Sequence, residues 1–298
     1  MASNKPALPG PRAVTAPNRM RASWECFLSR AITPNLPVVF DEETGDEGKM
    51  SMVFQEREPG ELYLALVEQV EPQAITHMVI GLNWTLVATD QGCGLAHSPA
   101  RDSEGCKPVE GAGQLGEKSL DQLASLTMSE NPAELSIGVA AINAYFNRFD
   151  LAREDENGLD VFSGIKEPVT VLGRFPGLDK RLRDPRIIER EPREGEYSTS
   201  EMAHHIGESG AVIITASTLT NGSLPGVLEH CAGKRVSLVG PGTTLAPTLF
   251  EFGIEILAGT LVHDVDGAVG AVAQGGAVRA LRPHCRFVTL RRPHAAAK

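Results

Sequence analysis

The second half of the chain alternates between two kinds of segment, and this limits the fold more than any other feature. Val169–Gly173, Arg186–Glu189, Ala211–Thr215, Arg235–Val239, Glu255–Leu257 and Arg286–Leu290 read as short strands. Helices are predicted between them at about 199–207, 223–231, 244–252 and 265–273. Start and stop signals support these helices. Ser198 and Glu201 form an S-x-x-E capping box. Ser223 caps the next helix, with Pro225 in its first turn and Gly233 past its end. Thr243 or Thr244 caps the third, and Gly253 closes it. Repeated βα units build a parallel sheet with right-handed crossovers. Such sheets bind ligands beyond the carboxyl ends of their strands.

The first half reads as α+β. A helix is predicted over Glu61–Val70, begun near Pro59 and closed before Pro72. Thr76–Gly81 and Asn83–Thr89 read as two strands, followed by a glycine-broken loop from Asp90 to His97. Helices follow at Lys118–Leu126 and Pro132–Phe149. In the second, Leu135, Gly138, Val139, Ile142 and Phe146 fall on one face. Four prolines before residue 20 and no apolar periodicity predict a mobile tail. The expected organisation is a tail over 1–20, an α+β domain over 21–150, a polar linker over 151–167 and an α/β domain over 168–290.

Composition narrows the function classes. With 298 residues, 42% hydrophobic and 22% charged, the chain is long and apolar enough for a sizeable core. No run of 18 apolar residues predicts a membrane span, and no apolar segment after Lys5 and Arg12 predicts a secretory signal. The net charge of −10 argues against nucleic-acid and membrane partners. Arg181, Arg183, Arg186 and Arg190 are interleaved with Glu189, Glu191 and Glu194, a mixed solvated surface. Five cysteines at irregular spacing (Cys26, Cys93, Cys106, Cys231, Cys285) predict free thiols and a cytoplasmic setting rather than a disulfide framework.

Several strand ends converge in the expected sheet. Phe175 lies in the Gly173–Gly177 turn, and Glu189 ends the second strand, where an acid often holds ribose hydroxyls. Thr215, Thr218 and Asn221 stand in a long hydroxyl-rich loop suited to orienting a ligand by hydrogen bonds. Gly240, Pro241, Gly242, Thr243 and Thr244 open a predicted helix, whose free N–H groups and dipole favour an anion. A tight turn with an N-cap is the plainer reading of that run. For metal, Cys93 and His97 sit four residues apart in the glycine-broken loop, a donor pair suited to borderline metals. An unrelated buried thiol and histidine is the plainer reading there. His204 and His205 are adjacent on a helix, about 100° apart, and read as surface residues.

These segments also carry a family resemblance. Ser136–Ile–Gly–Val–Ala–Ala–Ile–Asn–Ala–Tyr–Phe–Asn147 resembles an N-terminal signature helix. Gly173–Arg–Phe–Pro176, Ile188–Glu189, the strand into Thr215, and Leu238 through Phe250 resemble C-terminal signatures of the same family. That family is the putative heavy-metal chelation proteins, domains of unknown function, and the resemblance covers about residues 59–290. It implies an enolase-N-terminal-like α+β domain followed by a Rossmann-like domain, with a cleft between them that handles a metal or metal chelate. It also implies a place for Gly92, Gly94 and Asn143 at that cleft. The expected function is a cytoplasmic protein binding a small ligand, a transition metal or a metal chelate between its domains, with room for a homo-oligomer. The alternative is an enzyme acting there on an anionic metabolite, a nucleotide or a metallophore-like compound. A scaffold protein fits less well, because polar loops converge at one edge.

Overall fold

The computed structural model describes residues 57–99, 108–151 and 158–293, with the backbone of three short strands before them. Those strands, β1 (Ala13–Thr15), β2 (Val38–Phe40) and β3 (Met50–Val53), form one antiparallel sheet in the order β1-β3-β2. The rest of the predicted tail, and Cys26 and Cys106, lie outside the described residues.

In the first half, β4 (His77–Ile80), β5 (Trp84–Ala88) and β6 (Cys93–His97) pair antiparallel in that order. Around them lie α1 (Leu62–Val67), α2 (Leu120–Ala124) and α3 (Pro132–Phe146). Pro132 in its first turn and the Asn131 side chain, which accepts from the Ala133 N–H, start α3. Its apolar face was expected to be one stripe, yet every residue from Ser136 to Phe146 is buried. A helix covered on all sides must be apolar or small on all sides, and its Ala, Gly and Ser positions meet that condition.

β6 replaces the expected loop, and small residues explain the difference. A Cβ on Gly94 would lie 2.0 Å from the Ala140 carbonyl oxygen and 2.3 Å from the Ala144 nitrogen. A Cβ on Gly92 would lie 2.3 Å from the Ala144 oxygen. The glycines therefore let a strand press directly onto α3, where a β-branched strand has no room.

The second half holds a seven-stranded sheet. Its strands are β7 (Val169–Leu172), β8 (Pro185–Glu189), β9 (Tyr197–Ser198), β10 (Ala211–Thr215), β11 (Arg235–Val239), β12 (Ile256–Val262) and β13 (Cys285–Arg291). The spatial order is β13-β12-β11-β10-β7-β8-β9. All neighbours are parallel except β13, which runs antiparallel to β12 because Cys285 re-enters beside Val262, where β12 ends. The helices are α4 (Met202–Glu208), α5 (Ser217–Thr220), α6 (Leu224–Glu229), α7 (Val265–Ala273) and α8 (Val278–Leu281). The predicted helix at 244–252 is a 3-10 helix, Pro247–Phe252, which starts only after Ala246. No described helix is long and apolar enough to cross a membrane.

The two halves share one apolar cluster, which includes Leu66, Ile137 and Ile142 from the first and Leu238, Leu249 and Phe250 from the second. Buried amides cross this contact. Asn143 donates to the Leu95 carbonyl at 2.8 Å and to the Gly242 carbonyl at 2.9 Å, and accepts from the Thr244 hydroxyl. Asn147 donates to the Thr243 carbonyl at 3.0 Å and accepts from the Leu245 N–H at 2.9 Å. Removing one partner of a buried hydrogen bond costs about 1–3 kcal/mol for each group left unpaired. Asn143→Ala is therefore expected to lower unfolding stability by about 3 kcal/mol or more in urea titration. A loss below about 1 kcal/mol would refute the clamp. The two threonines should behave oppositely. The wholly buried Thr243 hydroxyl has no hydrogen-bond partner among the described residues, whereas Thr244 serves Asn143. Thr243→Val should leave stability unchanged or raise it by about 1 kcal/mol, and Thr244→Val should lower it by about 1–3 kcal/mol.

Candidate functional site

Strand order decides where the large cavity lies. β8 and β9 lie to one side of β7, while β10, β11 and β12 lie to the other. The chain leaving β7 and the chain leaving β10 therefore diverge, and a crevice opens at their carboxyl ends. Gly173 turns there with φ 99°, packed so closely that a Cβ would meet Thr215 Cγ2 at 2.9 Å. The crevice widens into a cleft of about 1700 Å³. Trp84, His97 and Ser98 of the first half wall it on one side, and Arg279, Arg282 and Phe287 line another side.

Eight of the residues expected at a site line this cleft: His97, Phe175, Glu189, Thr215, Thr218, Asn221, Gly240 and Pro241. Gly92, Cys93, Gly94, Asn143, Gly242, Thr243 and Thr244 do not. Gly92 and Gly94 carry the β6–α3 contact, and Asn143 clamps the two halves. Gly242 supplies a carbonyl to that clamp, and Thr243 and Thr244 are fully buried. The anion argument for this run also loses its basis, because no helix begins at Thr243 or Thr244 to present free N–H groups.

The hydroxyl-rich loop serves its own shape. Thr218 donates to the Thr215 carbonyl at 2.7 Å and Thr220 to the Ser217 carbonyl at 3.0 Å. Asn221 Oδ1 accepts from the Ser223 N–H at 3.0 Å and the Ser223 hydroxyl at 2.6 Å. These bonds hold α5 as one short turn at the cleft floor.

Charge is distributed unevenly over the walls. Arg174 is already engaged: it donates to Glu196 at 2.8 and 2.7 Å and sits 3.9 Å from Glu189. Its guanidinium, helped by the Arg193 N–H, pulls the Glu196 carboxyl down to about 2. Arg190, Arg279 and Arg282 are exposed at the cleft and make no ion pair among the described residues. Arg279 and Arg282 escaped the sequence reading because they follow Gly-Gly-Ala and precede Pro, a context that resembles any surface turn.

The expected Cys93–His97 metal pair is not assembled. Both lie on β6, where a rise of about 3.3 Å per residue sets them about 13 Å apart. Cys93 is buried, and that burial, with Cys285 nearby, pushes its thiol far above the ordinary range. Burial also pushes the Cys231 and Cys285 thiols up to about 12. His97 faces the cleft with Nδ1 2.8 Å from the Ser98 carbonyl and its ring edge-on to Trp84. Among the described residues, one group of three donors converges within 4.8 Å: His204, His205 and Glu208 on α4, outside the cleft lining.

Comparison with known proteins places this architecture. A family model described as "Putative heavy-metal chelation" (DUF364) matches residues 159–291, and a second with the same description (DUF4213) matches residues 63–146. No curated protein matches the chain. A crystal structure of a DUF364 protein of unknown function from Desulfitobacterium hafniense is 31% identical, with a TM-score of 0.70 over 78% of this chain and 98% of that one. A second such structure, from Pyrococcus horikoshii, is 20% identical and shares the fold at a TM-score of 0.64 over 79% of this chain and 100% of that one. A described parallel-sheet half and α+β half each match a family model, and nearly all of the Desulfitobacterium protein aligns at 31% identity: the chain belongs to the DUF364 family.

Proposed function

We propose that this protein binds a metal as a small anionic chelate in the cleft between its two halves. The observation that carries the reading is the set of cleft arginines, Arg190, Arg279 and Arg282, that lack ion-pair partners among the described residues in a chain of net charge −10. Exposed guanidinium groups at a concave site bind carboxylates in a planar, bidentate manner. Trp84, Phe175 and Phe287 add apolar surface beside them, as ligand clefts commonly do.

The donor chemistry favours a chelate over a bare ion. Metal-binding cysteines act as thiolates, and all three described cysteines are buried with raised thiol pKa values. No three His, Cys, Asp or Glu donors converge at the cleft among the described residues. A metal bound there would therefore keep ligands from its own small-molecule partner, while the protein recognises the anionic exterior. The free thiols support a reducing, cytoplasmic setting.

A dinucleotide fits less well. The phosphate site of a doubly wound sheet uses the helix after its first strand. Here the β7–β8 connection holds only the short 3-10 turn Leu178–Lys180.

The test uses calorimetry with citrate complexes of Fe3+, Ni2+ and Zn2+ as probes. At least one complex should bind the whole chain, and Arg279→Ala with Arg282→Ala should weaken it about tenfold or more, equivalent to about 1.4 kcal/mol. Affinity independent of both arginines, with unchanged melting, would overturn the reading. Cys93→Ser should leave affinity for these complexes unchanged within about twofold, since the thiol is buried away from the cleft lining. A tenfold loss in a variant that melts normally would restore a role for that thiol.

A further inference from the structure

α4 carries a grouping that neither the cleft reading nor the family description assigns. His204, His205 and Glu208 each offer a donor atom, and these atoms lie within 4.8 Å of one another. His204 Nε2 is 3.7 Å from Glu208 Oε1, one helical turn away. His205 is buried and its ring lies against Tyr197, with centroids 3.8 Å apart. Adjacent histidines point about 100° apart on a helix, which argues against chelation from sequence alone. The rings nevertheless approach to 5.1 Å, and Glu208 joins them from the next turn.

The position of Arg186 is the informative detail. Its Nη1 lies 2.6 Å from Glu208 Oε2 and 3.5 Å from His205 Nδ1. A fixed positive charge thus already occupies the space that two of the three donors share. Burial, with Arg186 and His204 adding to it, lowers the His205 pKa.

We propose that His204, His205 and Glu208 form a site for a borderline divalent transition metal such as Zn2+ or Ni2+, and that Arg186 competes with the ion for it. Two imidazoles and a carboxylate are a donor set that Zn2+ accepts with one position left to water. Metal–nitrogen bonds of about 2.0–2.1 Å bring donors closer than they stand here, so side-chain rotation accompanies binding. Glu208 must release Arg186 as it turns, and the guanidinium is long enough to swing into solvent.

The site is independent of the cleft proposal, and its test uses bare Zn2+ with the full chain in chelator-free buffer. Calorimetry should detect a Zn2+ equivalent that His204→Ala removes or weakens by tenfold or more. His204 has a side chain 67% exposed, so this variant should fold normally, and melting curves verify that. Arg186→Met should tighten Zn2+ about tenfold, because the competing cation is gone. A purely structural ion-pair cluster would instead show no Zn2+ gain in Arg186→Met. Unchanged Zn2+ binding in His204→Ala, or unchanged or weaker binding in a folded Arg186→Met, would overturn the proposal. Citrate-complex binding at the cleft should be the same in both variants. Its loss alone would concern the cleft reading, not this site.

Discussion

Asn143 and Asn147 tie the two halves together. They stand one turn apart at the C-terminal end of α3, which is buried from Ser136 onward, and their amides reach backbone groups in the segment from Gly242 to Leu245. Asn143 also holds the β6 backbone through the Leu95 carbonyl. Each amide contact replaces water on a backbone group that the packing has buried, and such groups are costly when unpaired. The same contacts explain why the β11 exit does not proceed straight into a helix. Its carbonyls and N–H groups are satisfied by α3 side chains instead, and regular turns begin only at Pro247.

This attachment decides what the cleft is. Because the Gly240–Leu245 segment is held by α3, only its first two residues, Gly240 and Pro241, reach the cavity. The edge of the sheet is left without an anion-binding helix end there, and the β7–β8 connection supplies none either. Positive charge instead comes from Arg190 beyond β8 and from Arg279 and Arg282 near β13. Side-chain guanidinium groups are adjustable where backbone N–H groups are fixed, which suits ligands of varied shape better than a conserved pyrophosphate geometry.

Much of the second half was legible because several of its βα units carry their own punctuation. The capping box at Ser198–Glu201 is present, and α7 spans the predicted residues 265–273. Six strands of the mostly parallel sheet follow from that alternation, while the two-residue edge strand β9 (Tyr197–Ser198) has no pattern of its own. Three further features were not legible. β6 reads as a loop because Cys93-Gly94 lacks β-propensity, and only the distant Ala140 and Ala144 explain its glycines. The antiparallel β13 depends on where the chain re-enters, which local pattern does not encode. The cleft arginines sit in a turn-like context whose partner walls lie far away in sequence.

The histidine pair shows why local geometry misleads in the opposite direction. Helical spacing separates adjacent side chains, yet packing on Tyr197 tilts His205, and Arg186 from β8 draws Glu208 toward it. The two proposed sites then divide metal chemistry by charge and donor type. Arginines at the cleft would recognise the anionic exterior of a complex, whereas imidazoles on α4 would ligate the ion itself. Neither arrangement asks a buried thiol to ionise, so metal handling by this fold would not depend on the redox state of Cys93, Cys231 or Cys285. It would depend on salt at the cleft, where exposed guanidinium groups are screened.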